Sequence, residues 1–321
     1  MSLSLIGLDE IVEARRHMPH EITCTPLIPF RAAAVSNHIH LKMENLQPTI
    51  GAFKVRAAVN ALAVLSEEER ARGVYTASSG NMAQGVAWAA AYFGVPATVL
   101  VPEGASEAKL ARLARYEVEI RHLPFEEWWQ VIDHHGHPDI PGIFIHPVAN
   151  EAVMAGNGVI GLEIIEQMPE VDAIVVPFGG GGLICGIAAA ARALKPEVRI
   201  YAAELADAAP LAAARAAGQP VNVGEGPAFL SGIAVGKVVP EMWPLLEQLV
   251  DDILTVSLEK ITAAVRMLAL ENKVVTEGAG ATSFAATLDS DIDGEHVVCV
   301  LSGGNIRPED LAAILRDEQP G

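Results

Sequence analysis

Short apolar, β-branched runs recur along the chain, separated by longer stretches whose apolar positions fall three and four residues apart. The runs predict strands over His38–Met43, Val74–Ala77, Ala97–Val101, Val118–Arg121, Ile143–His146, Ala173–Pro177, Arg199–Ala203, Ile253–Val256 and Val297–Leu301. The longer stretches predict helices over Ala52–Leu65, Asn81–Phe93, Ser106–Ala114, Glu151–Gln167, Leu183–Leu194, Leu258–Glu271 and Pro308–Arg316. Alternation of this kind implies an α/β fold: open, mostly parallel sheets with helices on both faces. The strands barely alternate in polarity, as expected when both faces are covered. The stretch His122–Pro141, polar, Trp-containing and rich in His and Pro, ends one block of four strands and receives no helix or strand. The expected division is a large domain formed by residues 1–71 and 149–321, with a small domain, 72–148, inserted in it.

Composition narrows the class. Of 321 residues, 51% are apolar and 19% charged, which excludes a disordered chain. The net charge of −18 argues against binding nucleic acid or an anionic membrane. An anionic ligand would need a local positive site set against that field. Cys24, Cys185 and Cys299 are far apart with no CxxC pair, so neither a cysteine zinc site nor a disulfide framework is expected. Free thiols and an N-terminus without a signal-peptide pattern point to the cytoplasm. Two long uncharged runs, Gly85–Pro102 and Ala173–Ala191, are broken by Gly94 and Pro96 and by Pro177 and four glycines. They read as a helix and strand joined by turns, not as membrane spans.

Four segments carry candidate chemistry. In AIVVPFGGGGLICGIAAAARAL (173–194) a buried strand runs into Gly179, Gly180, Gly181 and Gly182, and a helix opens at Leu183. Consecutive glycines let backbone N–H groups converge on one point, and the helix N-terminus adds partial positive charge, which makes a phosphate cradle. Neither the dinucleotide GxGxxG spacing nor the Walker lysine is present. A plain flexible turn is the competing reading. In LKMENLQPTIGAFKVRAAVNAL (41–62), Lys54 sits at a helix start. Partial desolvation there lowers a lysine pKa, as Schiff-base chemistry requires, although most first-turn lysines are solvated surface charges. In TASSGNMAQGVAWAA (76–90), Ser78, Ser79 and Gly80 offer either an ordinary N-cap or a carboxylate site. In VVCVLSGGNI (297–306), Ser302 follows a buried strand.

In that order the four segments resemble the fold-type II pyridoxal-phosphate enzymes, of tryptophan synthase β-like fold. Within them the set is similar to the threonine/serine dehydratase and serine racemase branch. The resemblance runs from ITCTPL (22–27) through GIAVG (232–236) to TEGAGA (276–281). It implies that Lys54 carries pyridoxal 5'-phosphate as a Schiff base and that Gly179, Gly180, Gly181 and Gly182 bind its phosphate. Phe53 would pack beside the ring, Asn81 would meet its hydroxyl and Ser302 its nitrogen. Ser78, Ser79 and Gly80 would hold the substrate carboxylate. A serine at the pyridine nitrogen does not force its protonation, which suits β-elimination over chemistry needing a long-lived carbanion. The implied reaction is dehydration and deamination of a β-hydroxy amino acid, such as L-threonine or L-serine, to a 2-oxo acid and ammonia, in a homodimer.

The chain departs from the family pattern at several places. Ala52 and Ala57 flank Phe53-Lys54-Val55-Arg56 where a hydroxyl residue and a glycine are usual. Met82 follows the loop asparagine in place of histidine. Ser79 matches the serine racemases, so Ser79 and Lys54 as the catalytic pair of an amino-acid racemase, or a hydroxyaspartate dehydratase, is the alternative. A non-catalytic binder of a phosphate ligand on the same fold is the second. The racemase metal site resembles Glu204, Ala208 and an acid where this chain has Pro210, so no metal is expected there. The cluster Asp133-His134-His135-Gly136-His137-Pro138-Asp139 reads as a surface loop, His38 and His40 as a sheet-edge pair, and Glu67-Glu68-Glu69-Arg70 as a solvated helix end.

Overall fold

The computed structural model describes residues 3–31 and 38–320, so the extreme ends of the expected large domain lie outside the described residues. The strands are β1 (Leu27–Pro29), β2 (Ile39–Lys42), β3 (Val74–Ala77), β4 (Ala97–Pro102), β5 (Glu119–Leu123), β6 (Ile143–Phe144), β7 (Ala173–Pro177), β8 (Arg199–Leu205), β9 (Asp252–Val256) and β10 (Val297–Val300). They form a six-stranded sheet in the order β1-β2-β10-β7-β8-β9 and a four-stranded sheet in the order β5-β4-β3-β6. All pairings are parallel except β1 with β2.

Period-two alternation decides which helix each strand residue meets. Ile174 and Val176 of β7 face the helices Glu151–Gln167 and Gly182–Leu194 in one core cluster. Ala173 and Val175 face Leu258–Met267 and Gly278–Leu288 in the other. Both faces of β7 are therefore dry, which accounts for its unbroken apolar run. The small sheet is covered by Lys54–Ala63 and Asn81–Phe93 on the Val74 side and by Phe125–Asp133 on the Tyr75 side.

Three expectations are corrected. The stretch 122–141 contains the helix Phe125–Asp133. Phe125, Trp128, Trp129 and Ile132 lie at i, i+3, i+4 and i+7, the helical signal that the polar flanks obscured. The pair at 38 and 40 is not at a sheet edge, because β2 lies between β1 and β10, with His40 opposite Pro29. The helix begins at Lys54, not Ala52; Ala52 instead bridges Gly303. As expected, Glu67–Ala71 is an exposed helix, capped by Ser66 with Glu69. No described helix is long and apolar enough to cross a membrane.

Candidate active site

Parallel sheets gather loops at the carboxyl ends of their strands, and that is where the cavity lies. Ser78 follows β3, Gly179 follows β7 and Ser302 follows β10. A cavity of about 320 Å³ is lined by Phe53, Lys54, the segment from Ser78 to Asn81, Gly179 to Gly182 and Ser302. The structure thus brings together every site residue expected from the sequence.

Lys54 is the first residue of its helix, and its Nζ donates to the Pro147 carbonyl at 2.8 Å. The ammonium also lies 5.1 Å from the centre of the Phe53 ring. Burial alone pulls its pKa down to about 8, because no carboxylate accompanies it. The Phe53 amide donates to the Ser302 carbonyl at 3.0 Å, so the lysine segment and the β10 loop are tied together by backbone.

The glycine loop is held open by its geometry. Gly181 has φ +98° and caps the helix Gly182–Leu194, a backbone angle that side chains with a Cβ rarely adopt. A Cβ on Gly180 would lie 2.4 Å from Val148 Cγ2. Among the described residues the amides of Gly179, Gly180 and Gly181 donate to no backbone carbonyl, whereas the preceding Phe178 amide is paired with Ala203. Unpaired amides at the N-terminus of a thirteen-residue helix are the donors an anion needs.

The serine loop is not an ordinary cap. Gly80 occupies the N-cap position of Asn81–Phe93 and no side chain caps it. Ser78 Oγ accepts from the Gly80 amide at 3.2 Å. The Ser78 amide donates to Leu100 O at 3.0 Å, the carbonyl that also accepts from Trp128 Nε1 at 3.0 Å. Asn81 is oriented from both ends: its Nδ2 donates to Glu277 Oε1 at 2.7 Å and its Oδ1 accepts from Asn305 Nδ2 at 2.7 Å. One Nδ2 hydrogen remains for a ligand. Burial pushes the Glu277 carboxyl up, against Asn81 and the nearby Arg112 and Lys109.

Glu277, Asn305, Lys109, Trp128 and Trp129 line the cavity without having been singled out as site residues. Glu277 and Asn305 stand inside the TEGAGA and SGGNI segments, where a side-chain role was legible. The others arrive on helices whose register only packing sets.

The histidine cluster does not converge. His135 pairs with Glu241 and His137 with Glu127. Among the described residues no group of three His, Cys, Asp or Glu is placed to hold a metal ion. Glu204 does not fit a cation either, because its Oε1 accepts from Leu211 N at 2.8 Å and its Oε2 from Ala212 N at 3.0 Å. Those amides open the helix Pro210–Ala217, so its N-terminus takes the carboxylate.

The family model described as pyridoxal-phosphate dependent enzyme matches residues 19–303. The chain belongs to this family. L-threonine ammonia-lyase of Thermotoga maritima is 39% identical over 311 residues, covering 94% of this chain and 76% of the relative. L-threonine dehydratase catabolic TdcB of Escherichia coli K12 is 34% identical over 313 residues, covering 94% and 93%. The structure of maize serine racemase superposes with a TM-score of 0.87 at 30% identity, covering 98% of each chain. The cofactor is pyridoxal 5'-phosphate, and the residues present fit it: an amine of lowered pKa, a cradle of unpaired amides and a tethered asparagine share one cavity.

Proposed function

We propose that the protein is an ammonia-lyase that dehydrates and deaminates a β-hydroxy amino acid of the L-threonine or L-serine kind to a 2-oxo acid and ammonia. The observation that carries this reading is Lys54: a half-buried amine whose pKa desolvation lowers to about 8, without an acidic partner, facing the cavity shared by the glycine and serine loops. Gly179, Gly180, Gly181 and Gly182 would hold the cofactor phosphate through backbone amides. Asn81 and Ser302 would meet the ring and Phe53 would pack beside it. When bound, the cofactor supplies an electron sink that acidifies the substrate Cα–H and lets the β-hydroxyl leave. Ser78 and Ser79 would hold the substrate carboxylate through their hydroxyls and the Ser79 amide, with Gly80 shaping the loop, since the Ser78 amide donates to Leu100 O and the Gly80 amide to Ser78 Oγ. Lys54, about a tenth neutral at pH 7 when its pKa is about 8, takes the Cα proton as general base. The Pro147 carbonyl keeps Nζ aimed while it does so.

The two sheets support a small lobe, 72–148, inserted in a large one, with the site in the cleft. A cytoplasmic homodimer completes the proposal. Cys185 and Cys299 are buried, and burial pushes their thiols up to about 12, which leaves them inert.

A second reading is favoured by Ser79, which lines the cavity together with Lys54: acid–base attack from two sides would racemise the substrate. One experiment separates the readings. The purified protein is incubated with L-threonine, L-serine, their D-forms and 3-hydroxyaspartate; 2-oxo acid is followed, and the residual substrate is resolved by chiral chromatography. Oxo acid with no inversion is expected. Inversion without oxo acid would replace the lyase by a racemase, and no turnover with any substrate would leave a binding protein. Borohydride should fix the cofactor mass on Lys54 alone.

A further inference from the structure

His146 lies between the small sheet and the site, and its bonds are unlike those of a packing residue. It is 2% exposed and follows Ile145, whose amide donates to Tyr75 O at 2.7 Å and whose carbonyl accepts from Thr76 Oγ1 at 2.9 Å. His146 Nδ1 faces two amides, Val148 N at 3.0 Å and Ala149 N at 2.7 Å. Both are donors, so Nδ1 must be the acceptor and the ring hydrogen sits on Nε2. Burial, with His135 and Lys54 nearby, holds the ring pKa at about 3, so the acceptor survives at any working pH.

The turn organised by that nitrogen touches the site twice. Pro147 supplies the carbonyl that receives Lys54 Nζ. Val148 is the wall against which the glycine loop is packed: a Cβ on Gly180 would meet its Cγ2 at 2.4 Å and one on Gly182 its carbonyl at 3.0 Å. Beyond Val148 the chain enters the helix Glu151–Gln167, capped by Asn150 Oδ1 on Val153 N at 2.9 Å. The turn is therefore held at its exit by Asn150, whose amide also donates to Val148 O at 3.0 Å, while the amides of Val148 and Ala149 are held by the imidazole nitrogen.

We infer that His146 is a positioning residue whose Nδ1 sets, through the turn 147–149, both the acceptor for the Lys54 amine and the wall of the phosphate loop. This rests on reading Lys54 and the glycine loop as the cofactor's contacts. Loss of the nitrogen would then loosen cofactor binding and change the lysine's environment together, although His146 does not line the cavity.

The test uses the cofactor-loaded enzyme and the variants His146→Asn, His146→Gln and His146→Leu. In the Asn side chain Oδ1 stands where Nδ1 stood, whereas Gln carries the same amide one bond further out, and Leu has no acceptor. The cofactor dissociation constant, the pH midpoint of the visible absorbance band and the thermal midpoint are measured for each. Gln and Leu are expected to weaken cofactor binding about tenfold, the scale of a lost buried hydrogen bond, and to move the pH midpoint. Asn is expected to stay within about threefold with an unmoved midpoint. The inference is overturned if Gln and Leu bind as the unchanged protein does, or if Asn is as weak as Leu. Should Leu not fold, the Asn and Gln pair decides, since the two carry the same amide on side chains one methylene apart, and only Asn sets its oxygen at the Nδ1 position. A cofactor mass that borohydride fixes elsewhere than Lys54 in the unchanged enzyme would instead undo the reading of the site.

Discussion

Lys54 and Arg56 leave the same turn of one helix and meet opposite electrostatics. Two residues apart, they point away from each other. Lys54 faces the cavity with a backbone carbonyl as its acceptor, and burial lowers its pKa. Arg56 faces inward and is 1% exposed, with Nε 2.9 Å from Glu44 Oε2 and Nη1 2.7 Å from Glu163 Oε1. Lys42 joins Glu163 at 2.6 Å, and Thr25 bonds Glu44. Burial works against the guanidinium, but the two carboxylates outweigh it and its pKa rises. Burial likewise opposes the Glu44 charge; Arg56 and Lys42 overcome it and hold the carboxyl below its usual range. Removal from water, partial for Lys54 and nearly complete for Arg56, gives a base of lowered pKa on one side and a permanent cation on the other. The partner decides which.

The comparison can be broken most sharply at Lys54. Lys54→Met should reduce oxo-acid formation by about 10³-fold or more, since it removes both the cofactor attachment and the base. The same variant should raise the stability of the cofactor-free protein at pH 7, by about 2 kcal/mol once the solvent reached through the cavity is discounted. The sign follows from the lowered pKa. Between about pH 8 and the ordinary lysine value near 10.4 the unfolded chain binds the extra proton, so the unchanged protein gains stability as pH rises and the variant's advantage fades. Denaturant unfolding at pH 7 and pH 10 checks it; a destabilised Met variant would mean that the amine is paired after all.

Arg56→Met tests the other side and should move stability the opposite way. It leaves Glu44 and Glu163 buried with too little positive charge, a loss of about 3–5 kcal/mol by urea unfolding. A neutral result would mean that Lys42 alone balances both carboxylates.

Glu204 sharpens the contrast with a smaller effect. It is a buried carboxylate held by amides rather than by a cation, and burial raises its pKa to about 7. The folded state then binds more protons than the unfolded state between about pH 4.3 and 7, so its stability contribution is full below that window and is lost as pH rises through 7. Glu204→Gln should flatten the pH dependence of the unfolding free energy across the window, by about 3 kcal/mol in total. An unchanged slope would show that the helix N-terminus fully offsets the burial.

Much of this was legible in the sequence. The apolar runs of β7, β8 and β10 betray strands dry on both faces, and residues 179–182 can only be a turn feeding a helix. The residues after three strands, Ser78, Gly179 and Ser302, were recognisable as a set through the resemblance of their segments to one family; β3 lies in the four-stranded sheet and β7 and β10 in the six-stranded one, so their convergence was the work of the tertiary structure. The helix Phe125–Asp133 was missed although its aromatic spacing is helical, because His and Pro around it diluted the periodicity.

Partnership was not legible. Glu44, Lys42, Arg56 and Glu163 are spread over about 120 residues of sequence, and nothing local distinguishes them from surface charges that happen to be buried together. His146 reads as the last residue of a predicted strand until its Nδ1 is found on two amides of the turn that carries Pro147 and Val148. Residue order and periodicity determined the layers, the parallel sheets and the loops that carry the chemistry, because those follow from local geometry and burial. Tertiary structure alone decided which buried charge is paired and which is free, because electrostatic energy depends on distance in space and on the loss of water, neither of which is written along the chain.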